Sequence, residues 1–270
     1  MLLGIDHLVI AVPDPDAAAA DLEAALGIAA TGGGRHELAG TFNRLIFLGD
    51  TYLELIGVWD RSLASAHPIG AAALAALDAG APGLVTWAIG TDGARREVAG
   101  LRGAGSLIGD ALPGERVRQD GGVIRWHVAV AAPLAADRPP FLIEHELAGP
   151  EWGDEARRAR AAFVHPFGGQ ARVVGLELAV AHPAEAASDF ARTVGVVFGP
   201  APGAEPGDQE ARVGPHSIRL VSPRPMSRPM PGPGPALWPG SGDPTARVGL
   251  LATAGERLLV DLCGVRFARL

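Results

Sequence analysis

Short stretches of apolar residues, separated by turn residues, make up the first 58 positions of the chain. The first stretch is interrupted by Asp6 and His7, and the helix-like stretch that follows it is Ala-rich and ends at Gly27. Gly49-Asp50 separates two later stretches and is a typical hairpin turn. The pattern therefore predicts, in order, a strand at 4–12, a helix at 14–26, and strands at 43–48 and 51–58.

The same succession of elements occurs twice more along the chain. Because tight turns join the strands that follow each helix, those strands are expected to run antiparallel. The second copy is predicted as a strand at 83–92, a helix at 93–103 and strands at 115–119, 123–131 and 141–147. The third is predicted as a strand at 173–183, a helix at 184–194 and a strand at 217–221, with two final strands within 246–262.

These copies predict an α+β fold, in which repeated βαβββ units form a concave mixed or antiparallel sheet around a cleft. Such a unit leaves one sheet face uncovered, so two copies are expected to pair. We expect a domain over residues 1–150, built of paired units at 4–58 and 83–147. Residues 151–270 are expected to hold a third related unit with a Pro/Gly-rich loop at 223–244. Since three is an odd number, a homodimer joining third units is one expectation.

Composition narrows the possible chemistry. The net charge is −7, and all 23 basic residues are Arg, because the chain contains no Lys. This argues against a nucleic-acid-binding surface and excludes Lys Schiff-base chemistry. The one cysteine, Cys263, allows neither an internal disulfide nor a thiolate zinc site. No signal peptide and no apolar run long enough to span a membrane is evident, so a cytoplasmic location is expected.

Glu54 is the first residue that demands a chemical explanation. It lies inside an aliphatic strand, and burying an unpaired carboxylate costs several kcal/mol, so a partner is required. That partner is an Arg, a proton or a metal ion. Because His7 lies on another predicted strand, the two side chains can supply both halves of a metal site.

Several motifs resemble the glyoxalase-like branch of the vicinal oxygen chelate superfamily, from residue 4 to about 195. The motifs are Asp6-His7-Leu-Val-Ile-Ala-Val-Pro, Gly40-Thr-Phe-Asn43-Arg-Leu-Ile, Tyr52-Leu-Glu54-Leu-Ile, Pro140-Phe-Leu-Ile-Glu144 and His165-Pro-Phe-Gly168. The resemblance implies a divalent metal in a cupped sheet, held by residues of the first and last strands of two paired units. Its members include isomerases, dioxygenases, epimerases and metal-free drug-binding proteins.

Carried over by position, the resemblance implies an incomplete metal site. His7 and Glu54 occupy the positions of ligands in the first unit, whereas the second unit has Thr86 where a histidine is expected. Glu144 is the expected ligand on the last strand of that unit. In the third unit the matching residues, Glu177 and Arg219, look more like an ion pair.

The expected ligands of a divalent metal ion are therefore His7, Glu54 and Glu144, and Mn²⁺, Fe²⁺, Ni²⁺ and Zn²⁺ remain open as its identity. In this hypothesis the metal polarises a small oxygen-rich substrate and Glu144 moves the proton, as in a lyase, isomerase or dioxygenase. Each residue also has a structural alternative. His7 can hydrogen-bond across the cleft, Glu54 can pair with an Arg, and Glu144 changes face if the register slips by one residue.

The resemblance also implies substrate contacts. Asn43 or Arg44 would orient the substrate, and the alternative for both is a role in capping a turn or strand. Thr86 and Trp126 are further expected contacts, although Trp126 can instead pack in the core. Arg125 and Trp126 alternate on one strand, so only one of them can face the pocket. His36 lies in a Gly-rich run, 32–36, that is interpreted as a loop, which is either exposed or closes over a ligand. The rival hypothesis is a metal-free protein that binds a small hydrophobic or drug-like molecule in a cup lined by Trp87, Trp126 and Phe141.

Overall fold

The first unit is formed by one helix and four strands. The computed structural model describes residues 1–118, 120–201, 205–223, 246–252 and 258–269. The Asp14 carboxylate caps the helix by accepting from the backbone N–H of Asp16 and Ala17, and Gly27 ends it in the left-handed conformation at φ 67°. The elements are β1 (Leu2–Ala11), α1 (Pro15–Leu26), β2 (Gly32–His36), β3 (Thr41–Leu48) and β4 (Thr51–Val58).

The second unit repeats this succession after two connecting helices, α2 (Arg61–Ala66) and α3 (Pro68–Asp78). The unit consists of β5 (Gly83–Thr91), α4 (Ala94–Gly103), β6 (Leu112–Arg118), β7 (Val123–Ala129) and β8 (Phe141–His145). The strands and helices expected from the hydrophobic pattern of both units are thus confirmed, including the hairpin at Gly49-Asp50. The helix α2 and the strand β2 were not expected.

The two units close into one eight-stranded barrel in the order β1-β4-β3-β2-β6-β7-β8-β5. Two antiparallel pairings join the units, one between β1 and β5 and the other between β2 and β6. The expected concave sheet around a cleft is therefore confirmed, and its edges are closed by pairing between the units. Closure removes exposed strand edges, which otherwise pair with other chains.

The Gly-rich run at 32–36, interpreted from the sequence as a loop, is the strand that makes the second of these joins. Gly34 pairs with both Asn43 of β3 and Arg118 of β6. A Cβ on Gly34 would lie 2.1 Å from the carbonyl oxygen of Val117, so only glycine allows β6 to approach this closely. The run lacks hydrophobic side chains because the neighbouring backbone leaves no room for them, and not because the run is a loop.

Residues after the barrel form α5 (Asp154–Ala162), α6 (Pro183–Val194) and a second sheet in the order β10-β11-β12-β9-β13-β15-β14. Its strands are β9 (Ala171–Ala179), β10 (Gly199–Pro200), β11 (Gln209–Val213), β12 (His216–Val221), β13 (Ala246–Ala252), β14 (Leu258–Leu262) and β15 (Val265–Arg269). The expected ion pair between Arg219 and Glu177 is present, with Nη1 and Oε2 3.9 Å apart. Apart from residue 223, the loop expected at 223–244 lies outside the described residues.

The outer face of the barrel packs against the second sheet. Leu8, Ile10 and Trp87 belong to the same buried apolar cluster as Phe190 of α6, and the rings of Trp87 and Phe190 are 6.1 Å apart. Trp87 therefore supports the interface between the two sheets. Within the described ranges, no helix has the length and apolar character needed to cross a membrane.

His216 of β12 connects the second sheet to β1 by hydrogen bonds. Its Nδ1 accepts from the backbone N–H of Ile5 at 3.0 Å, so in the neutral ring Nε2 carries the proton, 3.3 Å from Thr51 Oγ1. The Thr51 hydroxyl in turn donates to the Ile5 carbonyl at 3.0 Å. Burial lowers the pKa of His216 to about 4, because the charged ring is poorly solvated there.

We predict that Gly34→Ala destabilises the protein by about 2 kcal/mol or more, because the new Cβ overlaps the backbone of β6. Gly100→Ala is the matched control: it lies within α4, and a Cβ there meets nothing within 4 Å. That substitution should stabilise the helix by about 0.5–1 kcal/mol. Urea unfolding of both variants measures the difference, and equal effects would contradict the close approach at β2 and β6.

We predict that protonation of His216 opposes folding at acid pH. The pKa is 6.5 in the unfolded chain and about 4 in the folded one, so the unfolded state alone binds a proton between these values. Above pH 6.5 His216 therefore does not reduce the free energy of unfolding. As the pH drops toward 4 this free energy falls, and His216 lowers it by about 2 kcal/mol at pH 4.5. His216→Gln should lose less stability than wild type between pH 7.0 and pH 4.5 in urea unfolding, and parallel losses would refute the assignment.

Candidate functional site

The barrel encloses a cavity of about 430 Å³ to which both units contribute. Most of its wall is apolar, and polar side chains come from both units. The apolar wall includes Leu45, Ile56, Ile124, Trp126, Val128, Phe141 and Ile143. The polar residues include His7, His36, Thr41, Asn43, Glu54 and His67. A mostly apolar cavity of this size with a few placed polar groups is typical of a small-molecule site.

Glu54 lies on β4 with only 6% of its surface exposed. The Asn43 side-chain amide, on the neighbouring β3, donates to Glu54 Oε1 at 2.6 Å. The other end of that amide, Asn43 Oδ1, is buried and has no hydrogen-bond partner among the described residues. The buried carboxylate therefore has an amide partner, and the expected pairing with an Arg is not what holds it.

A bulge in β1 brings Asp6 beside His7. Ile5 pairs with Ile89 and His7 pairs with Ala88, the next residue along β5. Asp6 therefore has no partner on β5 and forms the bulge. Asp6 Oδ1 is 2.6 Å from His7 Nδ1, and both Asp6 oxygens are 3.0 Å from His145 Nε2. Although burial alone would raise the pKa of Asp6, His145 and His7 together hold it below its usual range.

The ionised Asp6 determines which nitrogen of His7 faces the cavity. Because a carboxylate only accepts hydrogen bonds, Nδ1 of His7 carries the proton that is donated to Asp6. The other nitrogen, Nε2, then points toward Glu54, whose Oε2 is 3.5 Å away. The His7 ring is stacked on Tyr52 at 4.6 Å and meets Phe141 edge-on at 5.3 Å, so its orientation is restrained.

His36, which the Gly-rich pattern predicted to be a loop residue either exposed or closing over a ligand, belongs to this cluster. Its Nε2 is 3.8 Å from Glu54 Oε1, and its Nδ1 is 2.9 Å from Thr41 Oγ1. Burial lowers the pKa of His36 to about 4, against the opposing effect of Glu54, so the ring is neutral near pH 7. One signal was available, since Gly34 and His36 alternate with an exposed Arg35 as strand residues do.

The predicted substrate contacts are divided between the two faces of the barrel wall. Asn43 and Trp126 line the cavity, whereas Arg44 pairs with Asp16 of α1 on the outside. Arg125, as the alternation required, points away and lies 3.5 Å from Glu115. Thr86 is fully buried but is not part of the cavity wall, and its hydroxyl has no hydrogen-bond partner in the described part of the chain.

Glu144, expected as a metal ligand and proton carrier, is not brought together with His7 and Glu54. On β8 the residues Phe141, Ile143 and His145 face the cavity, so alternation directs Glu144 outward. There its Oε2 accepts from the backbone N–H of Ala94, at the start of α4, at 2.9 Å. This carboxylate caps a helix, and the register could not be read from the sequence.

The strand register identifies the true counterpart of Glu54 in the second unit. Val9 pairs with Glu54 in the first unit, and Ala88 pairs with Phe141 in the second. Asp14 and Gly93 cap the corresponding helices, and Val9 and Ala88 each lie five residues before that cap, so they are equivalent. Their partners, Glu54 and Phe141, are therefore equivalent as well.

The four positions at which the resemblance implied ligands thus carry His7, Glu54, Thr86 and Phe141. A phenyl ring cannot ligate a metal ion, and threonine is a poor ligand for transition metals. Within the described ranges, no group of three or more His, Cys, Asp or Glu side chains is arranged to hold one. The residues present therefore do not fit the metal centre that the resemblance implied.

Two paired βαβββ units, closed around a ligand-sized cavity with His7 and Glu54 on the first and last strands of one unit, define a protein of the vicinal oxygen chelate superfamily. The glyoxalase-like domain family matches residues 5–195, and the chain belongs to this family. No curated protein matches the sequence.

One solved structure shares this fold over its full length, and two others are similar to about half of this chain. A hypothetical protein from Staphylococcus aureus matches with a TM-score of 0.72 and 14% identity, and the match covers 100% of both chains. Methylmalonyl-CoA epimerase from Mycobacterium tuberculosis matches 53% of this chain and 87% of its own at a TM-score of 0.39 and 19% identity. A single-residue variant of the Streptomyces coelicolor epimerase, in complex with 2-nitronate-propionyl-CoA, is also similar. That match covers 53% of this chain and 98% of the epimerase, with a TM-score of 0.40 and 21% identity.

We predict that protein purified without chelator contains well below one equivalent of Mn, Fe, Ni and Zn together, because two of the four expected ligand positions carry no ligand. Elemental analysis of wild type and His7→Ala measures this. About one equivalent of one metal in wild type, lost in His7→Ala, would contradict the conclusion drawn from Thr86 and Phe141.

Proposed function

We propose that the protein is an enzyme that transfers a proton within a small molecule bound in the barrel, as an isomerase or lyase does. The observation that carries this proposal is the pair of His7 Nε2 and Glu54 Oε2, 3.5 Å apart and both at the cavity wall. A general base must lie within reach of the proton that it removes. Two such groups side by side, in an apolar cavity, can remove a proton at one atom and return it at another.

His7 is the proposed base. Asp6 accepts the hydrogen bond from Nδ1, which leaves the lone pair of Nε2 directed into the cavity. When Nε2 takes a proton from the ligand, the positive ring lies between the carboxylates of Asp6 and Glu54, which stabilise it. The ring then returns the proton to a neighbouring atom of the same ligand, so no oxidant, reductant or second substrate is required.

Glu54 and Asn43 have supporting roles in this mechanism. The Asn43 amide fixes Glu54 at 2.6 Å and keeps its second oxygen turned toward His7. Apolar residues of the second unit, among them Phe141 and Ile143, keep water from the pair and strengthen the interaction between charges. A positioned base of this kind typically contributes about 10²–10⁴-fold to a rate.

The metal-dependent reaction expected from the family resemblance would have to rely on His7 and Glu54 from a single unit. Since the second unit offers Thr86 and Phe141 at the corresponding positions, the proposed mechanism contains no step at a metal ion. Lyase and isomerase chemistry remain within the proposal, because both require proton transfer.

A second candidate is a metal-free protein that binds and sequesters a small molecule. The apolar wall favours it, since Phe141 replaces a ligand and Trp126 lies across the cavity with its ring edge-on to His36 at 5.9 Å. Of the three aromatic residues expected to line such a cup, Trp126 and Phe141 do so, whereas Trp87 packs against Phe190 of α6, outside the cavity.

We predict that the protein catalyses exchange of the hydrogen on the carbon next to a carbonyl in small neutral hydroxyketones. Proton NMR in D₂O measures the loss of that signal for a set of such compounds. Wild type should accelerate the exchange, and His7→Gln and Glu54→Gln should each reduce the acceleration by about 10²-fold or more, since each removes one member of the pair.

Glu37→Gln is the matched control, because it makes the same chemical change at an exposed position on the turn after β2. It should leave exchange unchanged. If the compounds bind to wild type but exchange no faster than in buffer, the sequestering protein replaces the enzyme as the conclusion.

A further inference from the structure

The polar part of the cavity carries the Glu54 carboxylate, and the one Arg among the lining residues is already paired with Glu151. We propose that the ligand is a neutral or positively charged molecule that supplies hydrogen-bond donors, such as a hydroxyl or an ammonium group, and that anions are excluded. This inference names the substrate class of the site and rests on the proposed function only in taking this cavity as that site.

Acceptor groups lie close together at one part of the cavity wall. Glu54 brings a carboxylate, and His7 directs Nε2 at it, 3.5 Å from Oε2. Asn43, whose Oδ1 has no hydrogen-bond partner in the described residues, lines the same cavity, and its amide is already bound to Glu54 at 2.6 Å. A buried acceptor without a donor is costly, so a ligand that donates a hydrogen bond here is favoured.

The positive charge at the cavity wall is not available to an anion. Arg116 is the one Arg among the lining residues, all of which the structure describes. Its Nη2 contacts both oxygens of Glu151, at 2.8 and 2.7 Å, and its Nη1 donates to the Gly33 carbonyl at 2.7 Å. Because Arg116 is only 3% exposed, this paired geometry is fixed by the surrounding backbone.

A negatively charged ligand would therefore meet Glu54 with no lining Arg free to offset the repulsion. Like charges repel more strongly in an apolar cavity than in water, because the surroundings screen them less. The repulsion between Glu54 and an anion would therefore weaken binding of that anion. The neutral state of His36 near pH 7 removes another source of positive charge.

The remaining wall favours a ligand with a flat apolar frame. Trp126 and Phe141 present aromatic rings, and the glycine opposite Trp126 on β6, Gly114, leaves room for the indole, because a Cβ there would lie 2.4 Å from its Nε1. Aromatic faces attract organic cations as well as apolar rings. An aromatic or alicyclic frame that carries one hydroxyl or ammonium group fits both parts of the cavity.

The test compares three compounds that share a naphthalene frame: naphthalen-1-ylmethanol, naphthalen-1-ylmethylammonium and 1-naphthoate. Isothermal titration calorimetry of the full chain at pH 7.5 measures their affinities. We expect the alcohol and the ammonium compound to bind on the order of tenfold or more tightly than the carboxylate. Glu54→Gln should reduce the preference for ammonium over carboxylate, whereas Glu37→Gln should preserve it.

The outcomes separate this inference from the proposed reaction. Equal or tighter binding of the naphthoate overturns the inference and leaves the cavity as a binding site. Preference for the alcohol and the ammonium compound, without the hydrogen exchange described above, supports the inference while the enzyme proposal fails. Binding of none of the three overturns the inference and leaves the enzyme proposal to the hydrogen-exchange test. Since the wild-type comparison alone decides among these outcomes, the test does not depend on folding of Glu54→Gln.

Discussion

Closure of the barrel through the two antiparallel pairings between its units is the constraint on which the other features depend. The β1–β5 pairing brings the first strands of both units together, and its bulge places Asp6 where it can hold His7. The β2–β6 pairing completes the wall that carries His36 and encloses the cavity. The glycines of β2 are required for this closure, because the backbones approach too closely for any Cβ at Gly34.

The two units have the same topology but place different side chains at corresponding positions. The first contributes Asp6, His7, Asn43 and Glu54, and the second contributes Phe141 and Ile143 together with His145, which contacts Asp6. The pseudo-symmetric pairing of strands puts a carboxylate and a phenyl ring at corresponding positions across one cavity. In the proposed mechanism, the first unit provides the base and the second shapes the space beside it.

Much of the fold could be predicted from the sequence, because strand and helix periods and turn residues such as Gly49-Asp50 act locally. The same local logic found His7 and Glu54, since polar residues inside apolar strands need partners. It did not find the strand at Gly32–His36, whose lack of side chains serves a contact with β6, far along the chain. It also misplaced Glu144, because the face of a strand residue depends on a register that the sequence alone does not reveal.

The hydrogen bond from Ile5 to His216 ties the second sheet to the residue that precedes the bulge at Asp6. His216 does not line the barrel cavity, yet the position of the bulge that carries Asp6 depends on where β12 holds it. The C-terminal sheet is therefore mechanically coupled to the first strand. A shift of β12 would move the backbone next to Asp6, although the two segments are more than two hundred residues apart in sequence.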